Sequence, residues 1–414
     1  MNETRTLGVI DYYAGQDRYG ISIPLLVGFI TRVLFITVFF DWNGVASTSD
    51  DRLYVSIAKS LLSTGQLSTH HFPVGYPLFV AFVLKVSGGS LAAIRIAQIA
   101  ISLSTVVTVS KISRMLYGRH AGLIAAWITA LYPPLIFISG RIMSETLYIW
   151  VLFLSISHFL IADRVSAMRY RLTASALFGI ASLVRSNLIP MYPLIPLWLF
   201  MRPGATLRSR ATSIAVFAAI GGFVLMLPGV YFKFTQGEFI AFATNSGQTF
   251  YGANNQLADG GWVQTLDHPE LLESISKDVR DSATEFNRAQ FRLGINWIRE
   301  NPKSFLQLLP LKFANAWLPG FQKSETVSKS RLATIVFALS WGVIVVGGII
   351  GRFINPPSQR DGILIEVLVT YTLMSLVFYG NPRIGLFCSP VLIIYISSMF
   401  GALGLTGRRV DTVK

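Results

Sequence analysis

Long apolar runs alternate with short polar clusters along most of the chain, at 21–40, 91–110, 120–138, 142–162, 211–234, 333–350, 363–379 and 384–405. Uninterrupted runs of about 17–22 residues match the hydrocarbon thickness of a bilayer crossed by α-helices. They are continuous rather than alternating in polarity, which argues against a transmembrane β-barrel. The segment 172–200 is too long for one crossing and is broken by Arg185, Asn187 and Pro190. It predicts two short spans meeting at Arg185. The pattern predicts an all-α protein, a polytopic transmembrane helical bundle of about ten spans. Arg32 lies inside the first run, where a charge faces the bundle interior or snorkels to the interface. Structural pairing and contact with a lipid phosphate are both open for it.

Two longer loops interrupt the apolar pattern, at 41–90 and 235–330. In the first, Asp50 and Asp51 follow Thr48 and Ser49, residue types that suit a helix N-terminus and its dipole. Leu53, Ile57 and Leu61, with Tyr54, Ala58 and Leu62, repeat at helical spacing, and Gly65 is a natural stop. This predicts a short amphipathic helix lying on the membrane surface. Such a helix holds a carboxylate where bilayer meets water; the alternative is that both aspartates only cap it. The apolar piece ending at Val86 is too short and too proline-led for a span and is read as interfacial or re-entrant. In the second loop, 285–299 reads as a surface helix. The stretch 303–321 contains Lys312 and two prolines and is placed at the interface.

The composition agrees with a membrane protein: 52% of residues are hydrophobic and only 14% charged, against roughly 25% in soluble proteins. The net charge of +14 sits in short clusters between apolar runs, not in a basic stripe interleaved with aromatics, so nucleic acid is not the expected partner. Lys111/Arg114/Arg119, Arg164/Arg169/Arg171 and Arg202/Arg208/Arg210 fall on one side, which the positive-inside rule makes cytoplasmic. Both termini then lie inside, with a cytoplasmic tail at 406–414, and 1–405 forms a single membrane domain. The first run lacks a small-residue cleavage site and reads as an anchor. The lone Cys388 excludes an intrachain disulfide.

This topology gathers Asp50, Asp51, Glu145, Arg141, Arg185, Lys312 and Arg383 on the outer side. Carboxylates suit proton transfer and cations suit a phosphate. Walker A, Rossmann, HExxH and GxSxG patterns are all missing. An activated substrate outside the cell membrane has to arrive as a lipid. A polyprenyl-phosphate sugar meets that need, because arginines stabilise its phosphate as it leaves. His70-His71 is the nearest approach to a metal-ligand pair, and no cluster demands an ion. Other readings stay open: Glu145 as an ordinary solvated carboxylate, and Arg185 and Arg383 as contacts to lipid headgroups.

Four stretches carry a family likeness: Asp50 to Ala58, Phe72-Pro73-Val74-Gly75-Tyr76-Pro77-Leu78-Phe79, Leu131-Tyr132-Pro133-Pro134 followed by Met143-Ser144-Glu145-Thr146-Leu147, and Gly179 to Arg185. In this order they resemble the motifs of polytopic GT-C glycosyltransferases that use polyprenyl-phosphate-linked sugars, such as protein O-mannosyltransferases and lipid A aminoarabinose transferases. The resemblance implies a GT-C-like fold with its active site under the two outer loops. It implies transfer, with inversion, to a hydroxyl of a lipid or envelope glycan acceptor. Asp50 is the implied general base and Asp51, out of register with the Asp-x-x-x-Tyr pattern, ranks second. Tyr54 and Tyr76 match its tyrosine positions, Glu145 is an orienting group, and Arg185 and Arg383 are phosphate clamps. The turn Asn381-Pro382-Arg383-Ile384 departs from the family's Arg-Tyr-Arg-like ending. A polyprenyl-lipid transporter or flippase and a non-catalytic subunit of an envelope polysaccharide complex are the competing readings. A transporter predicts polar residues along several spans and an internal repeat, neither of which the pattern shows beyond Arg32. Short loops and the lack of eukaryotic sorting signals suggest a bacterial inner membrane.

Overall fold

Helix follows helix through the chain, and the breaks fall where the sequence forbids continuation. The computed structural model describes residues 20–44, 49–67, 71–202, 204–241, 243–318, 331–355 and 361–401. Residues 1–19, Thr48, His70 and the tail 406–414 lie outside the described residues. In order come α1 (Ser22–Phe39), α2 (Ser49–Thr64), α3 (Gly75–Val86), α4 (Leu91–Tyr117), α5 (Arg119–Leu131), α6 (Pro133–Gly140), α7 (Glu145–Val165), α8 (Met168–Val184) and α9 (Met191–Met201). They are followed by α10 (Leu207–Gln236), α11 (Ser246–Gly252), α12 (Lys277–Asp281), α13 (Ala283–Glu300), α14 (Pro302–Trp317), α15 (Arg331–Ile354), α16 (Gly362–Val377) and α17 (Pro382–Ser398).

The chain is a multi-pass membrane protein. Among the described residues α1, α4, α7, α10 and α15 are long and apolar enough to cross a bilayer, and α5 with α6 makes a sixth if the bent pair is one span. Four shorter apolar helices, α3, α9, α16 and α17, accompany them. These helices are not the ten spans expected: α8, one of the two expected in 172–200, is in neither group, and α3, expected at the interface, is in the second. The expected span at 120–138 is bent by 51°, because Pro133 and Pro134 remove two backbone donors. The predicted break at Arg185 is present: Arg185 is extended (φ −146°, ψ 121°) and a 3-10 turn at Ser186–Leu188 leads to α9.

Burial sorts the helices into inner and outer members. In α7, 78% of the apolar window is buried, against 22% in α1 and 17% in α15. The exposed side chains of the outer pair are themselves apolar, among them Ile23, Leu26, Leu339 and Phe353. Such a surface suits lipid rather than water. α17 is buried along nearly its whole length and packs with α7 in the principal core cluster. Arg32 faces that interior and is fully buried; it donates to the Ser102 hydroxyl and to the carbonyls of Gly28 and Ala130, each at 2.9 Å.

The helix over the first loop starts and stops as its sequence predicts. Asp50 and Asp51 occupy its first turn, and Gly65 ends it at φ +71°, with its N–H donating to the Leu61 carbonyl at 2.9 Å. Its rotation differs from the simple apolar stripe. Asp51, Tyr54, Val55 and Ala58 are buried, whereas Leu53 and Leu62 are exposed. A Cβ added at Gly75 would lie 2.7 Å from the Leu183 carbonyl. Only glycine lets the start of α3 seat this closely on the end of α8, which brings the loop beside Arg185. The second loop contains the surface helix α13, begun by the Ser282 hydroxyl accepting from Glu285 N. It is followed by α14, which is not among the candidate spans.

Candidate active site

Three helix N-termini and one helix C-terminus converge at one end of the bundle. Asp50 lies in the first turn of α2, Glu145 is the first residue of α7, and Arg383 is the second residue of α17. Arg185 follows the last residue of α8. Helix N-termini carry partial positive charge and attract anions. The Asn-Pro-Arg turn has a local cause: the Asn381 carboxamide oxygen accepts from the Arg383 amide at 2.9 Å, and Pro382 occupies the position where a helix needs no donor.

The charges form two pairs linked by one guanidinium. Arg185 Nη1 lies 3.1 Å from Glu145 Oε1, and both are withdrawn from solvent, the Glu145 side chain completely. Arg383 Nη1 lies 3.3 Å from Asp50 Oδ2 and 3.7 Å from Glu145 Oε1. Asp50 and Arg383 are 30% and 42% exposed, so this pair is open to a ligand. Both Glu145 oxygens are buried and, among the described residues, accept no hydrogen bond; the arginines hold Glu145 by charge. Burial works against the charge on Arg185, but the Glu145 carboxylate more than offsets it and the guanidinium is held above its ordinary value. Arg185 also donates to the Ser144 hydroxyl at 2.8 Å and lies over the Phe387 ring, 4.9 Å from its centroid.

Asp51 sits one residue away in a different setting. It is fully buried and takes a two-pronged contact from Arg141, Nη2 to Oδ1 at 2.8 Å and Nε to Oδ2 at 3.1 Å. Tyr54 donates to the Ser144 hydroxyl at 3.4 Å, and burial pushes its phenol up to about 12, so it remains a neutral donor. Tyr76 packs edge-on against Tyr54, centroids 4.7 Å apart, and donates to the Gln98 carboxamide oxygen at 2.6 Å.

These groups lie along a cavity of about 2720 Å³. Asp50, Tyr54, Arg141, Arg185 and Arg383 line it; Asp51, Glu145, Tyr76 and Lys312 do not. Glu145 acts on the cavity through its arginines. Tyr76 is turned into the core and supports Tyr54 from behind. Lys312 is also turned away: its ammonium donates to the Asn254 side chain at 2.7 Å and to the Leu376 carbonyl at 3.3 Å. Burial pushes it down to about 8. One flank of the cavity is apolar, with Phe35, Phe39, Phe137 and Phe337 from α1, α6 and α15. The second loop contributes amides to the lining, Asn245, Gln248, Gln264 and Asn287. His71 lines the cavity as well; burial lowers its imidazole while Asp50 acts in the opposite direction. Among the described residues no group of three or more His, Cys, Asp or Glu is placed to hold a metal ion.

Two residues, Arg95 and Gln98, were missed by sequence reasoning, and a third, Ser144, was given no role by it. Arg95, in the first turns of α4, is buried and donates to the carbonyls of Trp42 at 2.7 Å, Gly44 at 2.6 Å and Gly140 at 3.2 Å. It ties the start of the first loop to α6. Mid-span charge is therefore not limited to Arg32, and Arg95 stands in plain view within the run 91–110. Gln98, one turn on, links Tyr76 to the Ser139 carbonyl. Ser144, already part of the Met143–Leu147 stretch, joins Tyr54 to Arg185.

Residues 71–232 match a family described as dolichyl-phosphate-mannose-protein mannosyltransferase. Three of the four motif stretches fall inside that segment, while Asp50 to Ala58 precedes it. No curated protein matches the chain by sequence. The fold is similar to that of the Archaeoglobus fulgidus oligosaccharyltransferase tethered to an acceptor peptide, with a TM-score of 0.60 and 14% identity over 94% of this chain and 50% of that one. The same enzyme, AglB, in complex with an inhibitory peptide and a dolichol-phosphate gives a TM-score of 0.55 at 14% identity, over 94% and 52% of the two chains. ArnT from Cupriavidus metallidurans bound to undecaprenyl phosphate gives 0.43 at 14% identity, over 91% and 76%. The chain spans about half the length of the oligosaccharyltransferase. Its fold is that of the GT-C membrane glycosyltransferases.

Proposed function

We propose that this protein is a membrane glycosyltransferase that moves a sugar from a polyprenyl-phosphate donor to a hydroxyl of a lipid or envelope glycan acceptor. The observation that carries this reading is the half-exposed Asp50–Arg383 pair, 3.3 Å apart at the edge of a large cavity, backed by the buried Glu145–Arg185 pair. The cavity is several times larger than a site for one small ligand, typically ~300–1,000 Å³. Its apolar phenylalanine flank suits an isoprenoid tail beside a charged head. The family matched by residues 71–232 and the dolichol-phosphate held by the similarly folded AglB support a lipid-phosphate donor.

In the reaction, the acceptor oxygen forms a bond to the anomeric carbon of the donor sugar. Its proton passes to an Asp50 carboxylate oxygen. The bond from that carbon to the bridging phosphate oxygen breaks on the opposite face, and the electron pair leaves with the phosphate. The anomeric centre inverts. Arg383 and Arg185 hold the phosphate and stabilise the charge it gains, helped by the N-termini of α7 and α17. Glu145 keeps the two guanidinium groups together. The Tyr54–Ser144 contact keeps Arg185 facing the cavity. Asp51 belongs to the scaffold in this reading, through Arg141. In this reading the active site faces the outer side of a bacterial inner membrane with both termini inside; the clusters of Lys and Arg between spans support the orientation.

The test is sugar transfer by the purified protein in lipid, using a panel of polyprenyl-phosphate sugars and comparing wild type with Asp50→Asn. Asn keeps the size of the side chain but takes no proton. Loss of transfer in the variant, with the donor still bound, supports the reading. Undiminished transfer by Asp50→Asn removes Asp50 as base. Wild-type protein that neither transfers nor binds any donor removes the transferase reading itself.

A further inference from the structure

Around Asp50 the carboxylates and guanidinium groups are paired, Asp50 and Glu145 against Arg185 and Arg383, and Asp51 against Arg141. A phosphate that binds between Arg185 and Arg383 therefore meets guanidinium groups already engaged by carboxylates. It has to take a guanidinium from a carboxylate. Arg185 is the harder one to take: its Glu145 contact is buried, and Ser144 and Phe387 hold it from other sides. Arg383 is half-exposed in the cavity, and one nitrogen, Nη1, serves both Asp50 and Glu145 at the looser distances of 3.3 and 3.7 Å.

Resting on the phosphate-donor reading above, we infer that Arg383 couples the two substrates: it restrains Asp50 until the donor phosphate arrives and then releases it. With Arg383 on the phosphate, the Asp50 oxygen it contacted is free to accept from the acceptor hydroxyl. The acceptor hydroxyl then meets a free Asp50 oxygen only when a donor phosphate has drawn Arg383 away. Asp50 is also faced by His71 and by the neutral Tyr54 phenol. Neither supplies a second fixed cation, so the release depends on Arg383. Because the coupling is reciprocal, removing the Asp50 charge should strengthen phosphate binding.

The experiment measures binding of undecaprenyl methyl phosphate, a diester with one fixed negative charge, to the full-length protein in lipid nanodiscs. Asp50→Asn is expected to bind about fivefold tighter or more than wild type. Arg383→Ala is expected to bind more weakly, and Asp50→Asn added to Arg383→Ala is expected to change nothing further, which a merely structural role of Asp50 would not produce. Equal or weaker binding by Asp50→Asn overturns the coupling. If Arg383→Ala binds as wild type does, the phosphate sits on Arg185: the donor reading stands and the coupling falls. If wild type does not bind the diester at all, both fall. A structure of the wild-type complex provides a second readout that needs no variant. Arg383 turned to the phosphate and away from Asp50 is expected; an intact Asp50–Arg383 pair beside bound phosphate overturns the inference.

Discussion

Two neighbouring aspartates on one turn of α2 meet two arginines in opposite ways. Asp51 is fully buried, and Arg141 grips both of its oxygens at 2.8 and 3.1 Å. Asp50 is 30% exposed and touches Arg383 through a single contact at 3.3 Å, and that arginine is shared with Glu145. The first pair is satisfied and closed. The second leaves hydrogen-bonding capacity facing a cavity large enough for two substrates. The same chemical groups, on adjacent residues, are divided between a closed and an open setting by the rotation of a helix.

The largest expected effect lies on activity. Asp50→Asn should lower turnover about 10²–10⁴-fold, the range of a lost general base, while leaving the thermal midpoint within a few degrees of wild type. Asp51→Asn should reverse that profile. Removing one partner of a buried ion pair costs about 3–5 kcal/mol; asparagine keeps one acceptor for Arg141, so a loss near the lower end is expected, read as a depressed unfolding midpoint. Turnover measured below the new midpoint should stay within roughly tenfold of wild type. If the two substitutions damage activity equally, with both proteins folded, the contrast between the pairs is not functional.

Arg383→Lys sharpens the comparison at a smaller scale. Lysine keeps the charge but is a point donor without the planar fork, and it cannot serve a carboxylate and a phosphate from fixed directions. Transfer should fall roughly tenfold. The corresponding Arg141→Lys change should leave the donor KM unaltered and appear in stability, because its partner is the buried Asp51. A shift of donor KM in Arg141→Lys as large as in Arg383→Lys would make Arg141, which also lines the cavity, part of the phosphate site.

Much of this arrangement is legible in the sequence. The apolar runs locate the long helices, Pro133 and Pro134 explain the bend, and Asp50 to Gly65 define α2 at both ends. The break at Arg185 follows from Asn187 and Pro190. The contents of the site are less legible, because they depend on rotation and on contacts between residues distant in sequence. Asp50 meets Arg383 across most of the chain. Tyr76 and Lys312 are expected on the same side as the site, but their helices turn them into protein, toward Gln98 and Asn254. Leu53 is part of the apolar repeat, yet it faces the cavity. Arg95 is visible as a charge in an apolar run, but its three carbonyl partners come from a turn and from the end of another helix, which no local pattern specifies.

Lys312 offers the smallest effect and separates scaffold from site by pH. Its ammonium is buried, with carbonyl oxygens rather than a carboxylate as its identified partners, and is pushed down to about 8. The ordinary value for lysine is about 10.4. Between these two values the unfolded chain holds the proton that the folded protein has released, so stability rises with pH across that window and is flat with respect to this group below it. Comparing unfolding midpoints of wild type and Lys312→Met from about pH 7 to pH 10 removes the contributions of the other titrating groups. The wild-type midpoint should gain on the variant by a few degrees above about pH 8. A gap that narrows instead would mean that Lys312 is held charged by an anion, which would return it to the phosphate-binding role its sequence position suggests.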